Sequence, residues 1–150
     1  MPGWVEVGRG RTIMATLEPG EDVLGSLRAI CLAAGIDQGW IPVFSGAFRT
    51  VTVIGTRSKI LDADAPLGDS VTVGNAEGFG SGTVTTGADL EFHLHVAVGQ
   101  KGVASAGTVG HLLSAEVQYP IEVVIEEATG PRLRRAPNEA ARGLSTLSFD

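Results

Sequence analysis

Alternation of apolar and polar side chains with a period of two is the feature that most restricts how this chain can fold. In residues 11–18 (RTIMATLE), every second residue from Ile13 to Leu17 falls on one apolar face, as in a half-buried strand. Similar short segments recur, and glycine, asparagine or aspartate stands in nearly every gap between them. The predicted strands span residues 11–18, 39–44, 48–54, 71–73, 79–85, 91–98, 103–107 and 119–126.

One segment has a helical period instead. In residues 21–34 (EDVLGSLRAICLAA), apolar side chains recur every three or four positions, acidic residues occupy the first turn, and Gly35 is placed to end the helix. Residues 137–144 (PNEAARGL) allow a second, short helix. Several short strands with tight connections and one early helix predict an α+β domain, in which a mainly antiparallel β-sheet packs on one main α-helix.

The length of 150 residues fits one domain with a core of its own. The predicted division is an N-terminal edge segment over 1–10, the domain proper over 11–128 and a C-terminal tail over 129–150. This tail has little apolar content, so we expect it to lie on the surface or to be mobile. Its arginines are Arg132, Arg134, Arg135 and Arg142.

Composition excludes several classes of protein. Hydrophobic residues make up 43% and charged residues 19%, which is typical of a soluble globular chain. We expect no secretory signal and no membrane span, because no apolar run approaches the roughly 18 residues that a span requires. A single cysteine, Cys31, excludes an internal disulfide and favours a cytoplasmic location. Its place on the apolar helix stripe indicates a structural thiol.

Binding to nucleic acid finds little support in the sequence. The net charge of -6 argues against a broad basic surface for phosphates. Residues 9–11 (RGR) match the core of an AT-hook, which inserts arginines into the minor groove of A·T tracts. However, Thr12 follows where that motif has proline, and the run enters a predicted strand. A free, extended arm is therefore not expected.

The three histidines, His93, His95 and His111, are the residues most suggestive of chemistry. In residues 91–98 (EFHLHVAV), Glu91, His93 and His95 share one face of the strand, whereas the other face is wholly apolar. Consecutive members of that polar face lie roughly 6.5 to 7 Å apart, and two imidazoles at this spacing can tilt toward one ion. A hairpin that returns beside this strand would bring His111 close to the pair.

The histidine pattern therefore predicts one polar site with a divalent metal as its occupant. Three neutral imidazoles suit zinc, and they also suit iron, nickel or copper. A set of three histidines leaves one coordination position open, as in catalytic zinc sites.

Two further residues are candidates at this site, each with an alternative explanation. Glu91 can be a fourth metal ligand, a general base or a solvated strand end. Arg49 follows a predicted turn at residues 45–47 (SGA), and it can be an anion-binding group or an ordinary surface arginine. No catalytic role is assigned to either from the sequence.

With these residues identified, the chain resembles the PPC domain, a family named for its conservation in plants and prokaryotes. The resemblance spans roughly residues 10–127. It is carried in order by residues 17–24 (LEPGEDVL) with Leu27, residues 45–47 (SGA), residues 92–96 (FHLHV), and residues 110–113 (GHLL) leading to 121–125 (IEVVI).

The resemblance implies an α+β fold with a mainly antiparallel sheet, assembled as a homotrimer. It also implies that the matching histidines, His93, His95 and His111, can bind a metal such as zinc. Plant members of the family add an AT-hook and act in transcription, whereas this chain resembles the stand-alone prokaryotic members. The fold is similar to that of acetolactate decarboxylase, in which three histidines hold a catalytic zinc.

Three functions follow as hypotheses. The preferred one is an oligomeric, non-enzymatic module that binds a metal or a small ligand at the histidines, because no clear acid–base pair stands beside them. The alternative is a zinc-dependent enzyme acting on a small oxo or hydroxy acid, with Arg49 or Glu91 assisting. A further alternative is a DNA-binding transcriptional regulator.

Overall fold

A computed structural model describes residues 3–55, 68–103 and 106–149 of the chain. The strands and the helix in these ranges are β1 (Gly8–Leu17), α1 (Val23–Ala34), β2 (Gly39–Ile54), β3 (Ser70–Thr86), β4 (Leu90–Gln100), β5 (Gly107–Thr129), β6 (Leu133–Pro137) and β7 (Ser145–Phe149). A 3-10 turn, Glu139–Ala141, lies between β6 and β7. Within these ranges, α1 is too short to cross a membrane and no other helix is a candidate for doing so.

The main sheet closes on itself. Strands β2, β3, β4 and β5 are antiparallel neighbours in that order, and the first residues of β5 pair back onto β4. Strand β5 therefore has β2 along one edge, while its other edge pairs first with β4 and later with β1. The prediction of an α+β domain with a mainly antiparallel sheet and one main helix is confirmed.

Helix α1 packs its apolar stripe on the core. Its residues Val23, Leu27 and Cys31 are buried together with sheet residues such as Phe44. The Asp22 carboxylate caps the helix by accepting a hydrogen bond from the Gly25 N–H at 2.6 Å. The helix therefore begins at Val23, two residues after the start predicted from the sequence. Burial raises the pKa of the Cys31 thiol to about 11, which keeps it protonated and confirms a structural position.

Several segments predicted as separate strands are continuous. The predicted turn at residues 45–47 is wrong, because these residues continue β2 through an irregular stretch of its pairing with β5. The β5 backbone comes so close here that a Cβ at Gly46 would lie 2.9 Å from the Pro120 carbonyl oxygen. Similarly, the predicted strands 71–73 and 79–85 both belong to β3, and the strand predicted over 119–126 is part of β5.

The strand predicted over 103–107 falls partly on residues 104–105, which lie outside the described residues. Of the remainder, only Gly107 lies in a strand, as the first residue of β5.

The C-terminal segment, which we expected to lie on the surface or to be mobile, forms a hairpin. Strands β6 and β7 pair from Leu133↔Phe149 to Pro137↔Ser145. Buried Leu133 anchors this hairpin, and its N–H donates to the side-chain oxygen of buried Gln38 at 2.9 Å. The short helix allowed over residues 137–144 is only the three-residue 3-10 turn. At the other end, β1 begins at Gly8, inside the predicted edge segment.

Glycines at alternate positions let β3 curve tightly over the core. A Cβ at Gly80 would collide with the Phe44 ring, and one at Gly82 would collide with the carbonyl oxygen of His93 on β4. Because the sheet can bend at these positions, β4 continues around the barrel until it reaches β5. The curvature that closes the sheet thus depends on residues without side chains.

We predict that Gly82→Ala lowers the free energy of unfolding by about 1–3 kcal/mol, since the added methyl group overpacks the β3–β4 contact. The measurement is urea denaturation followed by circular dichroism. The matched control is Gly74→Ala on the same strand, where the nearest atom to a new Cβ is 3.8 Å away. Equal effects of the two substitutions would contradict this explanation.

Candidate metal centre

Strand pairing brings the three histidines together. His95 on β4 lies directly opposite His111 on β5, and His93 lies two residues earlier on the same face of β4. The ring centroids are 4.9 Å apart for His93 and His111, 5.1 Å for His93 and His95, and 5.5 Å for His95 and His111. The hairpin that we postulated to place His111 beside the pair is therefore present.

The donor set fits a divalent metal ion. One ring nitrogen of each histidine can be chosen so that the three lie within 4.8 Å of one another. Nitrogen ligands bind zinc at about 2.0–2.1 Å, so three nitrogens this close to one another are candidates to bind one ion. Glu91 lies outside this ligand group. Three imidazoles without a carboxylate suit zinc and other borderline transition metals better than magnesium or calcium.

A cavity of about 660 Å³ opens beside the histidines. Among the described residues, β4 pairs with β5 only from His95 to Gly99, so the first residues of β4 have no strand partner on that edge. The cavity lies there, between helix α1, the start of β4 and the C-terminal hairpin. Its lining comprises Leu24, Arg28, Ile54, Leu90, Glu91, Phe92, His93, His95, His111, Arg135, Leu144 and Ser145.

Arg135 of the hairpin is the site residue that sequence reasoning missed. It is half-buried, and its guanidinium donates to the Thr83 hydroxyl at 3.1 Å and to the Ser145 carbonyl at 3.3 Å. Its Nε is buried and has no hydrogen-bond partner. Burial lowers the pKa of Arg135, and the nearby Glu91 carboxylate opposes this shift. Strand alternation could not reveal the residue, because its position depends on the hairpin folding back over β3.

The two other candidates lie in different places. Glu91 lines the cavity on the same face of β4 as His93. Arg49 is not among the lining residues; it is largely exposed and forms an ion pair with Glu116 at 3.2 Å. This is the environment of an ordinary surface arginine.

Burial and neighbouring positive charge keep His93 and His111 neutral. The pKa of His93 is lowered to about 4, first by burial and then by the charge of Arg135, followed by His111 and His95. Burial is also the main reason that the pKa of His111 is lowered. Because a metal ion competes with protons for imidazole nitrogens, the lowered pKa values of His93 and His111 favour metal binding by these two residues.

The arginines of residues 9–11 are part of strand β1. Arg9 pairs with Glu126 at 2.6 Å, and Arg11 pairs with Glu127 at 2.9 Å. Hydrogen bonds from Arg11 lower the pKa of Glu127 to about 2. The segment therefore lies against β5 and offers no free arm for a minor groove.

A closed antiparallel sheet, one helix and three converging histidines define the class to which this chain belongs. Residues 5–129 match the model of the Plants and Prokaryotes Conserved (PCC) domain, the family called PPC above. The chain is a member of this family, as its motifs had indicated. No curated protein matches the sequence.

Solved structures agree with this fold. A metal-containing protein from Archaeoglobus fulgidus is 24% identical with a TM-score of 0.79, covering 98% of this chain and 99% of that one. A protein from Bacteroides thetaiotaomicron, provisionally described as DNA-binding, is 23% identical with a TM-score of 0.75, covering 95% and 97%. Acetolactate decarboxylase from Bacillus subtilis is 10% identical with a TM-score of 0.58, covering 77% of this chain but 52% of the enzyme. At these identities the likeness concerns the fold alone.

In the metal-free protein, we predict that Arg135→Gln raises the pKa of His93 above its value of about 4, because a neighbouring positive charge is removed. The value stays below 6.5, since burial persists. The measurement is an NMR titration of the imidazole protons, with Arg134→Gln on the same strand as the control. A wild-type His93 that titrates near 6.5 would contradict the described environment.

The same shift has a consequence for stability. Between pH 6.5 and 4, the unfolded chain takes up a proton at His93 that the folded chain does not. The free energy of unfolding of the metal-free protein therefore falls as the pH is lowered through this window.

Proposed function

We propose that this PPC-family chain is a metal-binding module that holds one divalent ion on His93, His95 and His111. Zinc is the preferred ion. The observation that carries the proposal is the approach of three imidazole nitrogens to within 4.8 Å of one another. The metal-containing relative from Archaeoglobus fulgidus supports it by analogy of fold. The role is that of a binding module whose metal exposes an open coordination position to a small ligand.

The residues of the chain supply a prepared environment for such an ion. Pairing of β4 with β5 fixes the relative positions of two ligands, and burial keeps His93 and His111 neutral. When bound, a zinc ion would act as a Lewis acid toward an oxygen atom of the ligand. The cavity beside the histidines is within the size range of sites for small molecules, about 300–1,000 Å³.

We predict that chelator-treated and reloaded wild-type protein holds about one zinc ion per chain. His93→Ala/His95→Ala removes two of three ligands and abolishes this stoichiometric binding, because one imidazole cannot hold the ion alone. Mass spectrometry of the metal after gel filtration at pH 7.5 gives the content. Equal zinc in wild type and double variant would overturn the proposal.

Glu91→Gln serves as the matched control for the ligand set. Glu91 lines the same cavity but lies outside the group of three histidines. We therefore expect the zinc content per chain of this variant to equal that of the wild type. A loss of zinc in this variant would instead favour a fourth ligand.

A second candidate function is a zinc-dependent enzyme acting on a small oxo or hydroxy acid. It is favoured by the placement of a carboxylate, Glu91, and a cation, Arg135, in the cavity beside the histidines. A carboxylate there can accept a proton while the cation neutralises a substrate charge. The discriminating experiment incubates zinc-loaded protein with 2-acetolactate. Carbon dioxide release that is lost in Glu91→Gln supports the enzyme. Release by the zinc-loaded protein that does not exceed release by the zinc-free protein supports the module.

We also propose that the chain associates with itself, as its family resemblance implies. The support in the structure is an apolar row on the outer face of the sheet, where Phe79, Ala97 and Val109 pair in register across β3, β4 and β5. Phe79 is 60% exposed and Val109 is 69% exposed, next to the histidines. An exposed apolar patch of this kind is typical of an interface between proteins.

We predict a trimer, with three times the chain mass of 15.5 kDa, in light scattering after gel filtration. Val109→Asp places a charge within the apolar row and shifts the protein to the monomer, since burying an unpaired carboxylate is costly. Leu32→Asp, at an exposed position of helix α1, is the control that remains a trimer. A monomeric wild type at micromolar concentration would refute the proposed assembly.

A further inference from the structure

Arg135 lines the cavity with a guanidinium whose hydrogen-bonding capacity is only partly used. A guanidinium carries five N–H donors, and the structure gives hydrogen bonds to two acceptors, Thr83 and Ser145. Its Nε is buried without a partner. Each terminal nitrogen makes one of the two hydrogen bonds and keeps one N–H group for an acceptor that enters the cavity.

The charges around the cavity favour an anion as that acceptor. Imidazole is an uncharged metal ligand, so three of them leave the charge of a bound divalent ion uncompensated. The arginines Arg28 and Arg135 add two positive charges to the lining. Arg28 already has Asp89 as an ion-pair partner at 2.6 Å. On the negative side, the lining contains only the carboxylate of Glu91. With a metal present, the described lining therefore carries an excess of positive charge, which an anionic ligand would reduce.

The uncharged part of the cavity lining indicates that the ligand also has an apolar part. Apart from the charged groups, the histidines and Ser145, the cavity is lined by apolar side chains. These are Leu24, Ile54, Leu90, Phe92 and Leu144. An inorganic anion such as phosphate would leave these walls without contacts, whereas a hydrocarbon chain would bury its surface against them.

We infer that Arg135 binds the carboxylate of a small organic acid with an apolar chain, and that this acid occupies the cavity beside the metal. The planar fork of a guanidinium matches the two oxygens of a carboxylate, which a lysine would not do equally well. The inference deepens the proposed function and rests on it for the metal, but the contact between arginine and carboxylate does not itself require the ion.

Arg135 also lines a second cavity. This cleft of about 620 Å³ shares five lining residues with the first cavity, namely His93, His95, Arg135, Leu144 and Ser145. The hairpin that carries Arg135 lies beyond residues 5–129, the part that matches the family model. Ligand selection at the histidines is therefore assigned to a residue outside the part that matches the family model.

The test is isothermal titration of hexanoate into the full-length protein, in both zinc-loaded and metal-free form. We expect hexanoate to bind more tightly than acetate, because of its apolar chain, and more tightly than inorganic phosphate. Arg135→Gln should weaken hexanoate binding by about ten- to one-hundred-fold, which is the usual loss for hydrogen bonds to a charged group. Arg134→Gln, its neighbour on β6, removes the same charge outside the cavity lining and should leave the affinity unchanged.

Arg135→Lys gives a second readout in case the glutamine variant folds poorly. It keeps the charge but loses the fork, so an intermediate affinity is expected. Hexanoate binding that is equal in wild type and both Arg135 variants would overturn the inference, and so would tighter binding of phosphate. Failure of the wild type to hold zinc would overturn the proposed function instead. The titrations of metal-free protein would then still decide whether Arg135 binds the carboxylate.

Discussion

The pairing of β4 with β5 is the contact on which the rest of this structure depends. It closes the sheet, and its first residue pair is His95 with His111. Beyond that pair the two strands diverge, and the free edge of β4 becomes one wall of the cavity. A single stretch of strand pairing therefore produces both the cluster of histidines and the space beside it.

Closure requires that β3 bend, and bending requires the absence of side chains at particular positions. Gly80 leaves room for the Phe44 ring inside the barrel, and Gly82 leaves room for the backbone of β4 behind His93. Alternating glycines that look like a flexible segment in the sequence are thus part of a closely packed wall. The histidine site stands on the outer face of this wall, where Thr83 and Ser81 pair with His93 and His95.

Much of the fold and half of the site were predictable from local pattern. Period-two alternation correctly placed His93 and His95 on one face, and the helical period correctly located α1. The local sequence pattern failed to predict features that depend on close contact between backbone segments far apart in the sequence. Gly46 looks like a turn residue, but it permits close contact with β5 inside a continuous strand. Arg135 looked like a tail residue, because the docking of its hairpin depends on Leu133 and buried Gln38, which lie far apart in the sequence.

The central claim is that the three histidines act together as ligands of one ion. X-ray absorption at the zinc edge of the zinc-loaded protein measures this most directly. The account predicts three imidazole nitrogens at about 2.0–2.1 Å, with the remaining coordination from an oxygen atom. A first shell of oxygens alone, or one that contains sulfur at about 2.3 Å from the single cysteine, would contradict it.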